Sequence, residues 1–338
     1  MRIENRNIWL HRYAIVTACA TFCLIVAGGL VTSTGSGLAV PDWPLSYGQV
    51  FPPMVGGILY EHGHRMVATF VGLLTTILAF WLWRKEDRRW VRNLGFIALA
   101  AVIAQGVLGG LTVLFLLPTP VSVAHASLAQ SFFCLTVVIA LVTSPAWRSH
   151  TAEESTTIHK TRVLAILTTA AVFLQLVLGA IMRHSEAGLA IPDFPLSYGG
   201  LIPPTSAQDL PTVNDYRLQL DLSPVTLQQV WIHFTHRIGA CLVALMIVIF
   251  VVHLFRTYPR ELRFREPGLL LLALLLVQIL LGALTVWTAK SMEVATSHVA
   301  VGSLLLATSV FLTVRAYHLY KAPAVAVAHD VVAEGSRP

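Results

Sequence analysis

The sequence GLAVPDWPLSYG at residues 37–48 returns almost unchanged as GLAIPDFPLSYG at residues 188–199, 151 positions later. Ten of the twelve residues are identical, and the two differences are conservative. The prolines on both sides of an aromatic residue predict a rigid turn in each stretch. We call these stretches the first and second repeat loops, and their recurrence predicts a duplicated structural unit.

Matches on both sides of the loops extend the repeat. Gly28 matches Gly179 at the same offset of 151. Beyond the loops the offset rises, because the second repeat loop is followed by extra residues. The pairs matched at offsets of 172 or 173 are His64-Arg65 with His236-Arg237, QGVLGGLTV (105–113) with QILLGALTV (278–286), and His125 with His298. The chain is therefore predicted to contain two copies of one unit.

The composition predicts a membrane protein. Hydrophobic residues make up 56% of the chain, charged residues make up 12%, and the mean hydropathy is +0.71, far from the average soluble domain. A membrane-spanning helix needs about 20 mostly apolar residues. Eight stretches meet this requirement, at residues 13–32, 65–83, 94–116, 122–143, 163–182, 230–254, 267–288 and 295–316. They predict an all-α integral membrane protein with four spans in each copy.

Lys and Arg predict the orientation, because these residues are retained on the cytoplasmic side during insertion. With the N-terminus inside, 18 of the 23 Lys and Arg residues fall in inner segments, and the opposite topology would reverse this bias. Both termini are therefore predicted to be cytoplasmic. The net charge of +6 is explained as an insertion signal, so no nucleic-acid partner is expected.

Four spans per copy give both copies the same polarity in the membrane. The sequence therefore predicts two tandem four-helix bundles related by a pseudo-two-fold axis along the membrane normal. We assign residues 1–150 to the first copy and residues 151–322 to the second. Residues 323–338 are expected to form a flexible cytoplasmic tail.

Four of the thirteen histidines recur at matching places near the outer ends of spans: His64, His125, His236 and His298. The two in each copy are separated by 61 and 62 residues, and the other nine histidines look ordinary or ambiguous. A histidine within a membrane is costly unless it is bonded. Two neutral imidazoles at equal depth can bind one iron from opposite sides. The pattern predicts one bis-histidine heme site in each copy.

Other residues support this interpretation less specifically. A structural zinc site usually needs four ligands, whereas each copy offers two. Arg65 and Arg237 directly follow a candidate ligand, where each could pair with a heme propionate or anchor the helix end at the interface. Four glycines at corresponding depths allow close helix packing or room for a flat macrocycle: Gly28, Gly109, Gly179 and Gly282.

One difference between the copies bears on function. YEHGHR (60–65) has Glu61 three residues before His64, whereas WIHFTHR (231–237) has His233 at that position. A carboxyl group beside only one iron site indicates chemistry or proton handling in the first copy and cofactor binding in the second. Considered without the repeat, Glu61 is more typical of a solvated loop carboxylate.

The doubled loop, the Glu-x-x-His-Arg pattern, the four histidines and the eight spans resemble the heme A synthase family over nearly the whole chain. The resemblance implies an oxidoreductase that acts on a CH group. The family oxidises a ring methyl of heme O to a formyl group by successive hydroxylations, with heme b as cofactor. Some members have a cysteine pair in the first outer loop, but residues 33–62 contain no cysteine, so the chain is more similar to the cysteine-free branch.

The resemblance also implies roles for individual residues. His64 and His125 would ligate the substrate heme, and His236 and His298 would ligate heme b. Glu61 would be the catalytic residue.

Two other functions would use the same histidines. A di-heme b-type membrane cytochrome for electron transfer would not need Glu61, and a heme carrier would bind its cargo in transit. The expected partners of a synthase are heme O, the lipid bilayer and an unknown electron acceptor. Direct docking of a heme O synthase and formation of a homo-oligomer are left open. The absence of a clear transit peptide in MRIENRNIWLHRY favours a bacterial inner membrane.

The aromatic residues Trp43 and Phe194 give the repeat loops a predicted role. Each loop would cap one heme pocket as a lid. The alternative is a rigid turn on the membrane surface with its aromatic ring at the interface, and both roles are compatible.

Overall fold

The structure, a computed structural model, describes residues 2–204 and 206–322. These residues are mostly helical. Their ten α-helices are α1 (Arg2–Ser33), α2 (Gly57–Lys85), α3 (Arg89–Leu114), α4 (Thr119–Thr143), α5 (Pro145–Ser149), α6 (Ile158–His184), α7 (Leu210–Gln219), α8 (Leu227–Thr257), α9 (Leu262–Trp287) and α10 (Met292–Leu319).

Eight of these helices, all except the short α5 and α7, are long and apolar enough to cross a membrane. They confirm the eight predicted spans and a multi-pass membrane protein. A helix satisfies its backbone hydrogen bonds internally, as the hydrocarbon requires. The start of α2 differs from the prediction: α2 begins at Gly57, whereas the apolar stretch begins at residue 65. The first turns of α2 include the mainly polar residues 60–65, so a search for apolar stretches does not detect them.

Short elements connect the spans. A two-residue parallel pair joins β1 (Glu153–Glu154) to β2 (Tyr320–Lys321). The extra residues after the second repeat loop form α7, and Val213 of α7 packs with Ile191 in a small apolar core. Arg217 of α7 donates a hydrogen bond of 2.6 Å to the carbonyl of Leu189. The longer segment of the second copy thus braces the second repeat loop.

The helices of the two copies pack in the same order. In the first copy, α1 and α3 each contact both α2 and α4. In the second, α6 and α9 each contact both α8 and α10. Between the copies, α1 packs on α10, α6 packs on α4, and α4 packs on α10.

Two large apolar cores follow this division. The buried residues of one core come from α1 to α4, among them Leu10, Val71 and Ile139. The other consists mainly of residues from α6, α8, α9 and α10, joined by Ile25 and Phe133 from the first copy. Residues 323–338, expected to be a tail, lie outside the described part of the chain.

The repeat loops lie at one end of the bundle, which we call the outer end in accordance with the predicted orientation.

The opposite, inner end has an ion pair that occurs in both copies and was not predicted from the sequence. EDR (86–88) and ELR (261–263) each pair a glutamate with the arginine two residues later, at 2.9 Å and 2.6 Å. The side-chain hydrogen bonds from Arg263 hold the pKa of Glu261 below its usual value. These pairs tie α2 to α3 and α8 to α9.

Candidate heme sites

All four candidate ligands lie within the first three turns of their helices, at the outer end: His64 in α2, His125 in α4, His236 in α8 and His298 in α10. Local sequence fixes two of these helix starts. A proline in the first turn begins α4. In α8 the Thr226 hydroxyl accepts from the backbone of Gln229, whose side chain accepts in return from the backbone of Thr226 at 2.9 Å.

Each of the four imidazole rings lies against one of the four repeated glycines. A methyl group at Gly28 would be 3.2 Å from Cε1 of His64, and one at Gly179 would be 3.1 Å from Cε1 of His236. The corresponding distances are 3.4 Å from Gly109 to His125 and 3.3 Å from Gly282 to His298. The glycines therefore have a specific purpose, which is to let the rings lie between the helices. The sequence had suggested only general packing or room for a macrocycle.

The rings are also short of hydrogen-bond partners. The Nδ1 atoms of His64, His125 and His298 are buried without a partner among the described residues. A buried polar atom without a partner is costly, so each of these atoms needs an explanation such as a functional constraint. In each copy the two rings face glycines on the helices that pack between their own: His64 and His125 face α1 and α3, and His236 and His298 face α6 and α9.

These features fit a heme better than a bare metal ion. Heme iron needs only two axial imidazoles, and each copy supplies two. Within the described ranges, no group of three or more His, Cys, Asp or Glu side chains is placed to hold a metal ion.

Glu61 is buried at the outer end of α2, with 4% of its surface exposed, and is therefore not a solvated loop carboxylate. Its Oε2 accepts a hydrogen bond of 2.8 Å from the backbone N–H of Val40, in the first repeat loop. Its Oε1 accepts one of 2.7 Å from the Arg65 guanidinium, one turn further along α2. The carboxylate is thus held in one orientation beside the turn that carries His64.

His233 occupies the equivalent place in the second copy and has the equivalent partners. The backbone N–H of Ile191 lies 3.2 Å from its Nδ1, and Nε of Arg237 lies 3.2 Å from its Nε2. A neutral imidazole has a single acceptor nitrogen, whereas a carboxylate accepts at both oxygens. His233 can therefore satisfy only one of the two donors that Glu61 satisfies together.

Both arginines that follow a candidate ligand bind the repeat loops. Arg65 donates to the carbonyls of Asp42 and Leu45 at 2.7 and 2.8 Å. Arg237 donates to the carbonyls of Asp193 and Leu196 at 2.7 and 2.8 Å. Each guanidinium therefore connects a repeat loop to the helix turn next to a candidate ligand. Pairing with a heme propionate stays a prediction.

The repeat loops are braced internally in the same way. In the first loop, the Asp42 carboxylate accepts from the backbone N–H groups of Tyr47 and Gly48 at 2.7 and 2.8 Å, and the Tyr47 hydroxyl donates to the Ala39 carbonyl. The bonds from Gly48 and Tyr47 hold the pKa of Asp42 below its usual value. Asp193 and Tyr198 make the corresponding bonds in the second loop.

The aromatic residue of each loop lies near the third helix of its copy. The Trp43 ring packs so closely on α3 that a methyl group at Gly110 would be 2.7 Å from it. Gly110 directly follows Gly109, which contacts His125. In the second copy, Phe194 meets Trp287 of α9 edge to face, with ring centroids 6.0 Å apart. Both loops therefore lie over the outer ends of their bundles.

Three glutamines next to the candidate ligands were missed by the sequence analysis. Nε2 of Gln105 donates to the His125 carbonyl at 2.9 Å, and Nε2 of Gln175 donates to the His236 carbonyl at 2.8 Å. Nε2 of Gln278 lies 3.5 Å from Nε2 of His298. The signal was present in the sequence, since each glutamine stands four residues before one of the repeated glycines.

Comparison with known proteins agrees with this geometry. The family model COX15-CtaA, described as cytochrome oxidase assembly protein, matches residues 11–57 and 56–310. A heme A synthase of Geobacillus kaustophilus is 26% identical, with 95% of this chain and 96% of the relative covered. A heme A synthase of Halalkalibacterium halodurans is 28% identical, with 90% and 97% covered. The family match spans both repeat loops and all four histidines, and the chain belongs to the COX15-CtaA family of cytochrome oxidase assembly proteins.

Proposed function

We propose that this chain is a heme A synthase, which oxidises the ring methyl of heme O to a formyl group by successive hydroxylations. One observation carries the proposal beyond the family match. The histidine–glycine arrangement occurs twice, but a buried carboxylate accompanies it only in the first copy. Two similar sites with different neighbours are what an enzyme with a substrate heme and a cofactor heme requires.

The two sites are assigned by that difference. His64 and His125 hold the substrate heme O in the first copy, where Glu61 lies three residues from His64. His236 and His298 would hold heme b in the second copy. When bound, heme b supplies one-electron redox chemistry to the reaction. The repeat loops cover the two sites, and Trp43, which packs beside Gly109, limits the access of water to the first.

Glu61 is proposed as the group that holds or moves a proton at the substrate site. The backbone N–H of Val40 and the Arg65 guanidinium fix the two carboxylate oxygens, so the side chain does not have to reorganise during the reaction. Val40 belongs to the first repeat loop, and this hydrogen bond couples the position of the loop to the position of the carboxylate.

The architecture proposed for this function is two four-helix bundles, residues 1–150 and 151–322, related by a pseudo-two-fold axis along the membrane normal. The reciprocal packing of α1 on α10 and of α6 on α4 supports it, because exchanging the copies exchanges these two contacts. The distribution of Lys and Arg supports cytoplasmic termini. The bacterial origin of the similar heme A synthases supports a bacterial inner membrane. Heme O, with its apolar tail, would enter laterally from the bilayer.

Pigment analysis of the purified chain tests this proposal. From cells that supply heme O, the wild-type protein should yield heme b together with heme O or heme A. H236A and H298A should each deplete heme b. H64A and H125A should keep heme b and abolish the formation of heme A. A chain that holds only permanent heme b and forms no heme A would instead be an electron-transfer cytochrome.

A further inference from the structure

Three of the four histidine–glycine pairs include a glutamine, and the fourth does not. The glutamine pairs are Gln105 with Gly109, Gln175 with Gly179, and Gln278 with Gly282. At the fourth place, beside His64, Leu24 stands four residues before Gly28. Residues four apart lie on the same face of a helix, so each of these side chains borders the ring that its glycine contacts.

Gln175 is the glutamine that reaches the Nδ1 atom of a candidate ligand. Its Nε2 lies 3.1 Å from Nδ1 of His236 and donates to the His236 carbonyl at 2.8 Å. Its Oε1 is buried and has no partner among the described residues. The amide therefore keeps an unused acceptor next to the His236 ring.

The Gln175 amide lies next to a glycine, Gly239. A methyl group at Gly239 would lie 2.2 Å from Oε1 of Gln175, so a larger residue there would displace the amide from its present position. At the offset of 172, the residue of the first copy that corresponds to Gly239 is Val67. Leu24 and Val67 both pack on the apolar core of the first copy. The two copies thus carry a matched pair of differences, Gln175 with Gly239 against Leu24 with Val67.

The chemistry of an iron-bound imidazole gives this difference a consequence. When Nε2 binds iron, Nδ1 carries the proton and needs an acceptor. Metal-ligating histidines nearly always have such an acceptor, which fixes the ring and raises the basicity of the ligand. Rotation of the Gln175 amide would bring Oε1 to Nδ1 of His236, in exchange for the present hydrogen bond from Nε2 to the His236 carbonyl. For His64, Nδ1 is buried without a partner among the described residues. The residue that corresponds to Gln175 in this copy is the apolar Leu24, which offers no acceptor.

We propose that Gln175 is a positioning residue that holds His236 and makes the second heme site a permanent one, while Leu24 and Val67 keep the first site exchangeable. The inference rests on the proposed function, in which a product heme must leave the first copy and a cofactor must stay in the second. The two histidine pairs must therefore retain their hemes unequally, the second pair more strongly than the first.

The test compares Q175M, which removes the amide with little change in size, with the wild type. It uses an H64A/H125A background, in which only the second site can hold heme. The transfer of heme to an excess of a heme-scavenging apo-globin should become about 10- to 100-fold faster in Q175M. The reduction potential of the remaining heme should rise, because its ligand is less basic. Q175E keeps an acceptor and should retain heme with a lowered potential.

Q105M is the matched control, because the Gln105 amide binds the carbonyl of His125 rather than its ring. It should leave the retention and potential of the second heme unchanged. The transplant L24Q/V67G, in an H236A/H298A background, should slow the loss of heme from the first site. Wild-type retention and potential in Q175M would overturn the proposal. Heme retention and reduction potential can be measured without turnover. A failure of the synthase assignment would appear differently, as an absence of heme A with the wild-type chain, so the two failures can be distinguished.

Discussion

At the residue scale, the first copy differs from the second most clearly at Glu61 and His233. Both side chains are buried and face the same two donors, one from a repeat loop and one from the arginine four residues later, but only the carboxylate can accept from both. In the first copy the carboxylate neutralises Arg65. In the second copy an uncharged imidazole would leave the charge of Arg237 unbalanced, since that guanidinium has no carboxylate within ion-pair distance in the described ranges. We therefore predict that an anionic heme propionate pairs with Arg237 rather than with Arg65.

The substitution E61H places in the first copy the residue that the second copy already accommodates. His233 shows that an imidazole fits between these donors, so the variant should fold and keep both hemes. The formation of heme A should fall by about 10²- to 10⁴-fold, the usual contribution of a positioned acid or base. The measurement is the ratio of heme A to heme O in cells that supply heme O.

E293Q provides the control for that experiment, because Glu293 is an exposed carboxylate in the first turn of α10 and should not affect turnover. An E61H protein that forms heme A as fast as E293Q would exclude Glu61 from the chemistry.

At the scale of elements, each repeat loop is adjusted to the helix beneath it. The first copy combines Trp43 with Gly110, and the second combines Phe194 with Ala283 at the equivalent positions. The larger ring therefore occurs with the smaller helix residue. A methyl group at Gly110 would lie 2.7 Å from the Trp43 ring, well inside van der Waals contact, which explains why the first copy keeps glycine there.

This pairing predicts a rescue. G110A should displace Trp43 and destabilise the protein by about 1–3 kcal/mol, the usual cost of overpacking. The double variant W43F/G110A reproduces the residue pair of the second copy and should recover most of that loss. The midpoint of thermal unfolding and the amount of heme retained by the first site report both effects. If W43F/G110A is as impaired as G110A, the ring and the helix are not adjusted to each other.

Much of the fold could be predicted from the sequence, because the membrane imposes a simple rule on composition. Every apolar stretch of sufficient length became a helix, and the eight spans are confirmed. The helix starts were less predictable. The polar residues 60–65 lack the apolar signal but continue α2, which places Glu61 and His64 inside a helix. The segment α7 has no apolar stretch of membrane length and was not predicted.

The candidate sites were predictable in part. The repeat identified the histidines and glycines, because both copies conserve them at fixed offsets. Direct contact between each glycine and one imidazole could not be predicted, because it depends on the rotation of each helix about its axis. Gln175 and Gly239 were missed for another reason. They occur in the second copy only, and the repeat identifies only residues that both copies share. The importance of Gln175 and Gly239 lies in their replacement by Leu24 and Val67 in the first copy.

At the scale of the whole molecule, the two large apolar cores divide mainly along the boundary between the copies. Each copy has its own apolar core, and the second core takes in only a few residues of the first copy, such as Ile25 and Phe133. At the outer end the interface between the copies is polar and closely packed. Ser33 of α1 accepts from Arg183 of α6 at 2.9 Å and from Thr296 of α10 at 3.0 Å. Such contacts can form between helices that have already inserted, since helices in lipid associate after insertion.

This organisation predicts that the chain can be divided. Coexpressed fragments 1–150 and 151–338 should insert with the same polarity and assemble, because the break falls at the inner end, away from the repeat loops and all four candidate ligands. A tag on one fragment should recover both in equal amounts, with heme b bound. A break after residue 110, within α3 and inside the first core, is the control and should prevent recovery of the first copy. The contrary result would be that the intact chain accumulates but the coexpressed fragments 1–150 and 151–338 do not. The two copies would then need a continuous chain to fold, and the core of each copy would not be sufficient to form its bundle.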